Sequence, residues 1–192
     1  MADRSFYYSD HNQIKEYYAL PEGTRKELFR GRLYDMAAPN RNHQKIAGKL
    51  FQWIANYLDE TDKDCEVYHA PFDVHIQKKD ELHDYDSIVQ PDISVVCDKK
   101  KLTEQGCEGA PDWIIEIVSP GNSQHDYYDK LFLYRDGGVR EYWIVDPVCR
   151  RILVNYFEDE ESPVTIYGFS DKIPVRISNG LEIDFADLPV NE

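Results

Sequence analysis

The sequence predicts an α/β (α+β) fold with a mixed central β-sheet flanked by helices. Two apolar runs, at residues 90–97 and 112–118, have the length and Val/Ile content of buried strands. Apolar residues at 43–58 recur at helical spacing, and a second helix is predicted between the 112–118 strand and a further strand at 140–147. Because a helix that joins two neighbouring strands makes a crossover, this order of elements favours a mixed sheet covered by helices.

The other elements follow from turn residues and caps. All 192 residues are assigned to a single domain, in which residues 1–22, polar and rich in tyrosine, are predicted to form an N-terminal arm. Asn40 offers an N-cap for the first long helix, and Ser123 offers one for a helix that ends at Gly137-Gly138. Charged loops are predicted at 78–86 and 99–109. Further strands are predicted at 27–36 (two strands about Gly31), 66–76, 151–157, 164–169, 175–177 and 181–185.

Composition excludes several classes of protein. No segment reaches the ~18 consecutive apolar residues that a membrane span needs, and the N-terminus lacks the apolar core of a signal peptide. The four cysteines are scattered and form no CxxC pair, so neither a zinc site nor a disulfide framework is expected. A reducing, cytoplasmic location is therefore predicted. The cysteines are Cys65, Cys97, Cys107 and Cys149.

The charge distribution is uneven along the chain. A net charge of −14 by itself opposes binding to nucleic acid. Residues 1–50, however, contain nine Lys/Arg against six Asp/Glu. This portion could form a local phosphate-binding face, although an ordinary solvated surface explains the charges equally well.

Two carboxylates stand in apolar surroundings. Asp92 lies at the start of one predicted buried strand, and Glu116 lies within the other. Alternation along the strand places Glu116 on one face with Ile114 and Val118. An acid among aliphatic side chains is costly unless it is paired, and two such acids brought together commonly bind a hard divalent cation. The residues therefore predict a site for a hard divalent metal ion.

The order of motifs resembles a known nuclease family. Pro91-Asp92 followed by Glu116-Ile117-Val118 is similar to the signature of the PD-(D/E)xK superfamily, with Val118 in the place of the signature lysine. Further motifs occur in order along the chain: Glu27-Leu28 with Gly31, Ala38-Pro39-Asn40 with His43-Gln44, Pro71-Phe72-Asp73-Val74, 89–98, 111–120, Asp126, Lys130, Tyr134 and 138–147. With these motifs the chain resembles the Uma2 family of endonucleases over residues 12–187.

The resemblance implies a restriction endonuclease-like core and metal-dependent hydrolysis of phosphodiester bonds. Asp92, Glu116 and the carbonyl of Ile117 would hold Mg²⁺ or Mn²⁺, and the metal would activate a water molecule. Since valine cannot stabilise charge on phosphate, Lys130 is the predicted replacement for the signature lysine. The alternative for Lys130 is a surface pair with Asp126 at i,i+4 spacing.

Three further residues are candidates for the same site. Glu27 would add an acid near the metal, or would be an exposed strand residue. His43 would contact phosphate or carry a proton, or would be a cap or core histidine. Asp73 has the same two interpretations, with a structural role preferred.

The sequence leaves three functions open. The first is a Mg²⁺-dependent endonuclease that acts on DNA as a homodimer, since many nucleases of this fold cut two strands with two sites. The second is a catalytically inactive nucleic-acid-binding or regulatory module of the same fold, which Val118 and the acidic composition favour. The third is an enzyme that acts on another phosphate or small-molecule substrate.

Overall fold

The computed structural model describes residues 12–61, 64–80, 84–119, 125–159, 163–178 and 180–188. No helix in these ranges is long and apolar enough to cross a membrane. The elements in chain order are α1 (Asn12–Tyr18), β1 (Lys26–Phe29), β2 (Arg32–Asp35), α2 (Arg41–Thr61), β3 (Glu66–His69), β4 (Asp73–Lys79), β5 (Asp84–Val89), β6 (Ile93–Val96), β7 (Gly106–Glu108), β8 (Trp113–Ile117), α3 (Lys130–Gly137), β9 (Glu141–Asp146), β10 (Arg151–Tyr156), β11 (Thr165–Gly168), β12 (Lys172–Pro174) and β13 (Glu182–Asp184).

The strands form two large sheets and a small one. The six-stranded sheet has the order β11-β10-β9-β8-β6-β3, and the five-stranded sheet has the order β2-β1-β5-β4-β7. Each contains one parallel pair, β8 with β9 and β4 with β7, among antiparallel neighbours. The mixed α+β class is therefore confirmed, and α3 lies in the connection between β8 and β9. The strands that were expected in one central sheet are divided between two.

The strand β8 is buried on both faces. Trp113, Ile115 and Ile117 pack in one apolar cluster with the buried stripe of α2. Ile114 and Val118 pack on the other face, in a cluster that includes residues of β4, β5 and α3. Burial on both sides explains why residues 113–117 read as a continuous apolar run rather than an alternating one. The only charged side chain in this strand is Glu116, which therefore needs partners inside the protein.

Local signals fixed several boundaries correctly. Gly31 turns β1 into β2 with a φ of 74°, and Gly138 ends α3 with a φ of 95°, both conformations that favour glycine. Asn40 caps α2, because its Oδ1 accepts a hydrogen bond of 2.9 Å from the His43 amide. The predicted cap at Ser123 lies outside the described residues.

Four element predictions are wrong. The strand expected over 175–177 lies earlier, as β12 at Lys172–Pro174, and the loop expected over 99–109 contains β7. The strand expected over 66–76 is two strands in different sheets, since β3 ends at His69 and β4 begins at Asp73. Pro71 lies between them and has no N–H to continue a ladder. The loop expected over 78–86 is largely strand, because β4 runs to Lys79 and β5, paired antiparallel to it, starts at Asp84. Pairing across the sheet outweighs the charged composition there.

The expectation that the cysteines form no disulfide is also wrong. Cys65 and Cys97 are joined, with their Cα atoms 3.9 Å apart. In the antiparallel pair of β3 and β6, Glu66 stands opposite Val96, so the two cysteines are the next facing positions beyond the strand ends. Cys107 is a buried free thiol and Cys149 an exposed one.

Removal of this disulfide is expected to cost stability. Because the bridge spans 32 positions, Cys97→Ala should lower the free energy of unfolding by about 3–4 kcal/mol in oxidised protein. Urea unfolding with and without a thiol reductant measures the effect, and the reductant should lower the stability of the wild type toward that of the variant. Cys149→Ser is the control and should behave as wild type. Equal stability of Cys97→Ala and wild type without reductant would contradict the prediction.

A buried acid gives a second testable consequence. Glu141 is fully buried and accepts hydrogen bonds from Trp143 Nε1 (2.7 Å) and the Ile177 amide (3.0 Å). Burial raises the pKa of this carboxyl, with the hydrogen bonds opposing the shift. Because the pKa of Glu141 is higher in the folded than in the unfolded state, the protonated carboxyl contributes stability at pH values below the unfolded pKa of about 4.3. This contribution is lost as pH rises through the folded-state pKa.

We therefore expect Glu141→Gln to gain stability relative to wild type as pH rises from about 4 to about 7. Urea unfolding of both proteins across this range measures the difference in free energy. Replacing one acceptor oxygen by an amide NH₂ group adds a difference in the free energy of unfolding that does not depend on pH. The prediction therefore concerns how the difference between the two proteins changes with pH. Parallel pH profiles would show that burial of Glu141 is not linked to protonation.

Candidate active site

A cleft of about 570 Å³ brings together the residues predicted for the metal and catalytic site. Its walls include segments around β1 and β2, the start of α2, the end of β8 and the start of α3. Residues that are far apart in the chain thus share one cleft, and their roles remain predictions. The six predicted residues that line it are Glu27, His43, Asp92, Glu116, Ile117 and Lys130.

The cleft lies where the chain passes between the two large sheets. Residues 70–72 join β3 to β4, residues 90–92 join β5 to β6, and each connection links one sheet to the other. The Ala70 amide donates to the Asp92 carbonyl at 3.2 Å, so the two connections run side by side. Since Ile93 pairs with Ile115, Asp92 comes next to Glu116 at the end of the strand pair. Its Oδ2 accepts a hydrogen bond of 2.7 Å from the Ile117 amide.

Lys130 bridges two acids inside this cleft. Its Nζ lies 2.9 Å from Glu116 Oε1 and 3.2 Å from Glu27 Oε1. All three residues are 5% exposed or less. A buried cation between buried carboxylates compensates charges that would otherwise be strongly destabilising. The alternative partner, Asp126, has a side chain outside the described part of the chain.

Tyr134 adds a donor that the sequence reasoning missed. It lies one helical turn after Lys130 on the same face of α3 and donates from its hydroxyl to Glu116 Oε1 at 2.7 Å. Burial and the neighbouring Glu116 carboxylate raise its pKa well above the ordinary value of tyrosine. The phenol therefore stays protonated and keeps donating. The i,i+4 spacing from Lys130 was the signal that could have identified this contact.

The Val118 side chain does not extend into the polar cluster of Glu27, Glu116 and Lys130. Its side chain is buried in the apolar cluster beside Ile114. A core valine thus occupies the position of the signature lysine, and the ammonium next to Glu116 comes from Lys130 of α3 instead.

A second polar network contacts Glu27. The main-chain N–H of Gln90 donates to Glu27 Oε1 at 2.9 Å. The Gln90 side chain donates to Asp73 Oδ1 at 2.8 Å, and Tyr17 of α1 donates to the same oxygen at 2.9 Å. Asp73 is thus a partner of Gln90 and Tyr17, and its side chain does not appear among the described residues that line the cleft. Gln90, which the sequence did not single out as a site residue, links α1 to Glu27.

His43 contacts the other acid. Its Nε2 lies 3.0 Å from Asp92 Oδ2. Its Nδ1 is buried and has no hydrogen-bond partner among the described residues. The helix cap is Asn40, so His43 is free of that role and is directed at Asp92.

The donor atoms suit a hard divalent cation. Carboxylates of Asp92 and Glu116 and the carbonyl of Ile117 are oxygen ligands, which Mg²⁺ prefers, and Mg²⁺ commonly uses one or two carboxylates and keeps several waters. Within the described ranges no group of three or more His, Cys, Asp or Glu side chains is arranged for a metal. These oxygen atoms would suit a hydrated Mg²⁺ or Mn²⁺, whereas zinc is bound mostly by cysteine sulfur and histidine nitrogen.

Comparison with known proteins identifies the family of this chain. The sequence model of Uma2, a family described as "Putative restriction endonuclease", matches residues 14–190. The chain belongs to the Uma2 family. A relative from Synechocystis sp. (strain ATCC 27184 / PCC 6803 / Kazusa), "Uncharacterized protein slr1290", is 25% identical over 166 residues, which cover 84% of this chain and 83% of that protein.

A solved structure shows the same fold. The crystal structure of a "putative nuclease belonging to DUF820" from Anabaena variabilis ATCC 29413 matches with a TM-score of 0.71. The match covers 91% of this Uma2 chain and 96% of the other, at 22% identity. The restriction endonuclease-like fold expected from the motifs is thereby confirmed.

Proposed function

We propose that this Uma2 protein is a Mg²⁺-dependent endonuclease that hydrolyses phosphodiester bonds in DNA. The observation that chiefly supports the proposal is the placement of Lys130, whose ammonium lies 2.9 Å from Glu116 in the cleft that Asp92 also lines. Two acids and a lysine are the chemical groups of the PD-(D/E)xK signature, here gathered from three separate elements.

Each side chain has a role that its contacts support. The carboxylates of Asp92 and Glu116 and the carbonyl of Ile117 would hold Mg²⁺ or Mn²⁺, which when bound polarises phosphate and lowers the pKa of a water molecule. Lys130 stabilises negative charge on the phosphate. Glu27 and Tyr134 hold Lys130 and Glu116 in position. His43, beside Asp92, contacts phosphate or carries a proton.

Metal removal tests the proposal. Covalently closed circular DNA, which has no ends, should be opened by the protein with Mg²⁺ or Mn²⁺ and left intact with EDTA. Calorimetric titration of Mn²⁺ into the protein without DNA gives a readout that does not depend on turnover. Cleavage that persists in EDTA would rule out metal dependence, and degradation of linear DNA only from its ends would rule out an endonuclease.

A second function is favoured by one feature of the same site. The Lys130 ammonium lies between Glu27 and Glu116, and Val118 replaces the signature lysine, as expected for a fold that keeps the polar cluster without the chemistry. Such a protein would be a nucleic-acid-binding or regulatory module. Binding of DNA with no cleavage under any divalent cation would select it.

Assembly and location are part of the proposal. We propose a homodimer, by analogy with nucleases that cut two strands with two sites. We also propose that it acts on DNA in the cytoplasm, where thiol reductants would act on the Cys65–Cys97 bridge. Sedimentation velocity over a range of protein concentrations tests assembly, and a monomer mass at every concentration would contradict the dimer.

A further inference from the structure

The solvent face of α2 is unusual in an acidic protein. Between Asp35 and Asp59 the sequence has no aspartate or glutamate, although the chain contains 36 of them in 192 residues. Most of this stretch is α2, which buries Ile46, Leu50, Ile54 and Leu58 against the six-stranded sheet. From Arg41 to Asn56 its opposite face carries only cations and neutral polar groups, and the exposed acids Asp59 and Glu60 follow at the C-terminal end. The residues of this face up to that end are Arg41, Gln44, Lys45, Gly48, Lys49, Gln52 and Asn56.

The cations on this face lack acidic partners. In the described ranges Arg41, Lys45 and Lys49 form no ion pair, and Lys49 contacts Gln52 (3.1 Å) and lies 5.1 Å from the Trp53 ring centroid. Cations elsewhere are commonly paired, as in Lys26–Asp35, Lys99–Glu66 and Arg140–Glu158. Among the described residues no acid pairs with Arg41, Lys45 or Lys49, so their positive charge would attract a polyanion to this part of α2.

The face leads directly into the cleft. His43 and Gln44 at the start of α2 line the cleft, and the cations follow at intervals of four residues. Arg41 and Lys49 are separated by about 12 Å along the helix axis at 1.5 Å per residue. This distance is close to the rise of three to four nucleotides of one DNA strand, at roughly 3.4 Å each. A Cβ on Gly48 would meet nothing within 4 Å, so the middle of the face is open to a close approach.

We propose that this face, the α2 track (Arg41, Lys45, Gly48, Lys49 and Gln52), binds the sugar–phosphate backbone of DNA outside the cleft and directs the strand to Asp92 and Glu116. The contact is to phosphate and is therefore independent of base sequence. The inference rests on the proposed function, because it names the path that the substrate of that function takes.

A matched pair of substitutions tests the track without removing any native contact. Gly48→Glu and Gly48→Gln have the same size, and both replace a helical glycine with a better helix former. Binding of fluorescein-labelled duplex DNA is measured by anisotropy in EDTA, where no cleavage is expected. Gly48→Glu should bind several-fold more weakly than Gly48→Gln at low salt, and the difference should shrink as salt rises.

A second pair removes one cation at two places. Lys45→Gln should reduce the slope of log K against log salt by about 1, equally for two unrelated DNA sequences. Lys79→Gln loses the same charge at the far end of β4, a strand that starts beside the cleft and runs away from it, and should leave the slope unchanged. Equal effects of the two substitutions would overturn the track in favour of general charge.

The outcomes separate the track from the nuclease proposal. Equal binding by Gly48→Glu and Gly48→Gln, in a protein that still cleaves DNA with Mg²⁺, would overturn the track and leave the nuclease. Weakened binding by Gly48→Glu in a protein that never cleaves would support the track and reject the nuclease. A wild-type protein that binds no DNA at low salt would overturn both.

Discussion

Asp92→Asn and Glu116→Gln are each expected to reduce Mg²⁺-dependent opening of closed circular DNA by at least about a hundredfold. Both substitutions keep the size of the side chain and remove its charge. The new amide oxygen in Asp92→Asn can still accept from the Ile117 amide, and the one in Glu116→Gln can still accept from Lys130 and Tyr134. The packing of the cleft should therefore survive, while affinity for a divalent cation should fall. Gel quantification of nicked and linear products gives the rate, and calorimetry with Mn²⁺ gives the loss of binding.

Asp112→Asn is the matched control for these two variants. Asp112 immediately precedes β8, at the opposite end of the strand from Ile117. Its carboxylate accepts hydrogen bonds from the main-chain N–H of Cys97 and from the Arg140 side chain. The control should lose some stability and keep the cleavage rate of folded protein. Wild-type cleavage by both Asp92→Asn and Glu116→Gln would remove the metal site from the proposal, whatever the family relationship.

The strongest sequence signals came from elements whose pattern of buried and exposed residues is regular along their length. β8 and β9 are buried on both faces, so their runs of aliphatic and aromatic residues were sufficient to identify them. α2 has one buried stripe and one solvated face, which gives a clear helical period. Asp92 and Glu116 were identifiable because each is a lone acid beside or within such a strand.

The missed features depend on pairing between distant segments. No spacing rule brings Cys65 to Cys97, because their contact follows from the register of β3 with β6. The change of sheet at Pro71 has apolar residues on both sides, so a one-dimensional pattern reads through it. Gln90 acts through its main-chain N–H on Glu27, and the identity of a side chain does not reveal such a contact.

Identifying Lys130 as the positively charged side chain of the site required both the sequence and the structure. Sequence showed that Val118 cannot supply the charge and offered Lys130 as a substitute, but a surface pair with Asp126 was also consistent with the spacing. Only the packing of α3 against the end of β8 decides where the ammonium lies, which is between Glu27 and Glu116. This placement makes Lys130 important for stability as well as for the proposed chemistry.

Lys130→Met should therefore lower the free energy of unfolding by about 3–5 kcal/mol, because it leaves two buried carboxylates without their cation. It should also abolish DNA cleavage. Urea unfolding at neutral pH gives the stability, and the cleavage assay is run under conditions in which the variant remains folded. Lys26→Met is the matched control, since Lys26 pairs with an exposed Asp35 and its loss should cost no more than about 1 kcal/mol.

A double variant separates the two roles of Lys130. Glu27→Gln added to Lys130→Met removes one of the uncompensated charges, so it should recover part of the lost stability. It should recover no cleavage, because the ammonium that would stabilise charge on phosphate is still missing. If stability and cleavage returned together, Lys130 would act only by compensating the charge of the two acids. If Lys130→Met were as stable as wild type, the buried bridge itself would be refuted.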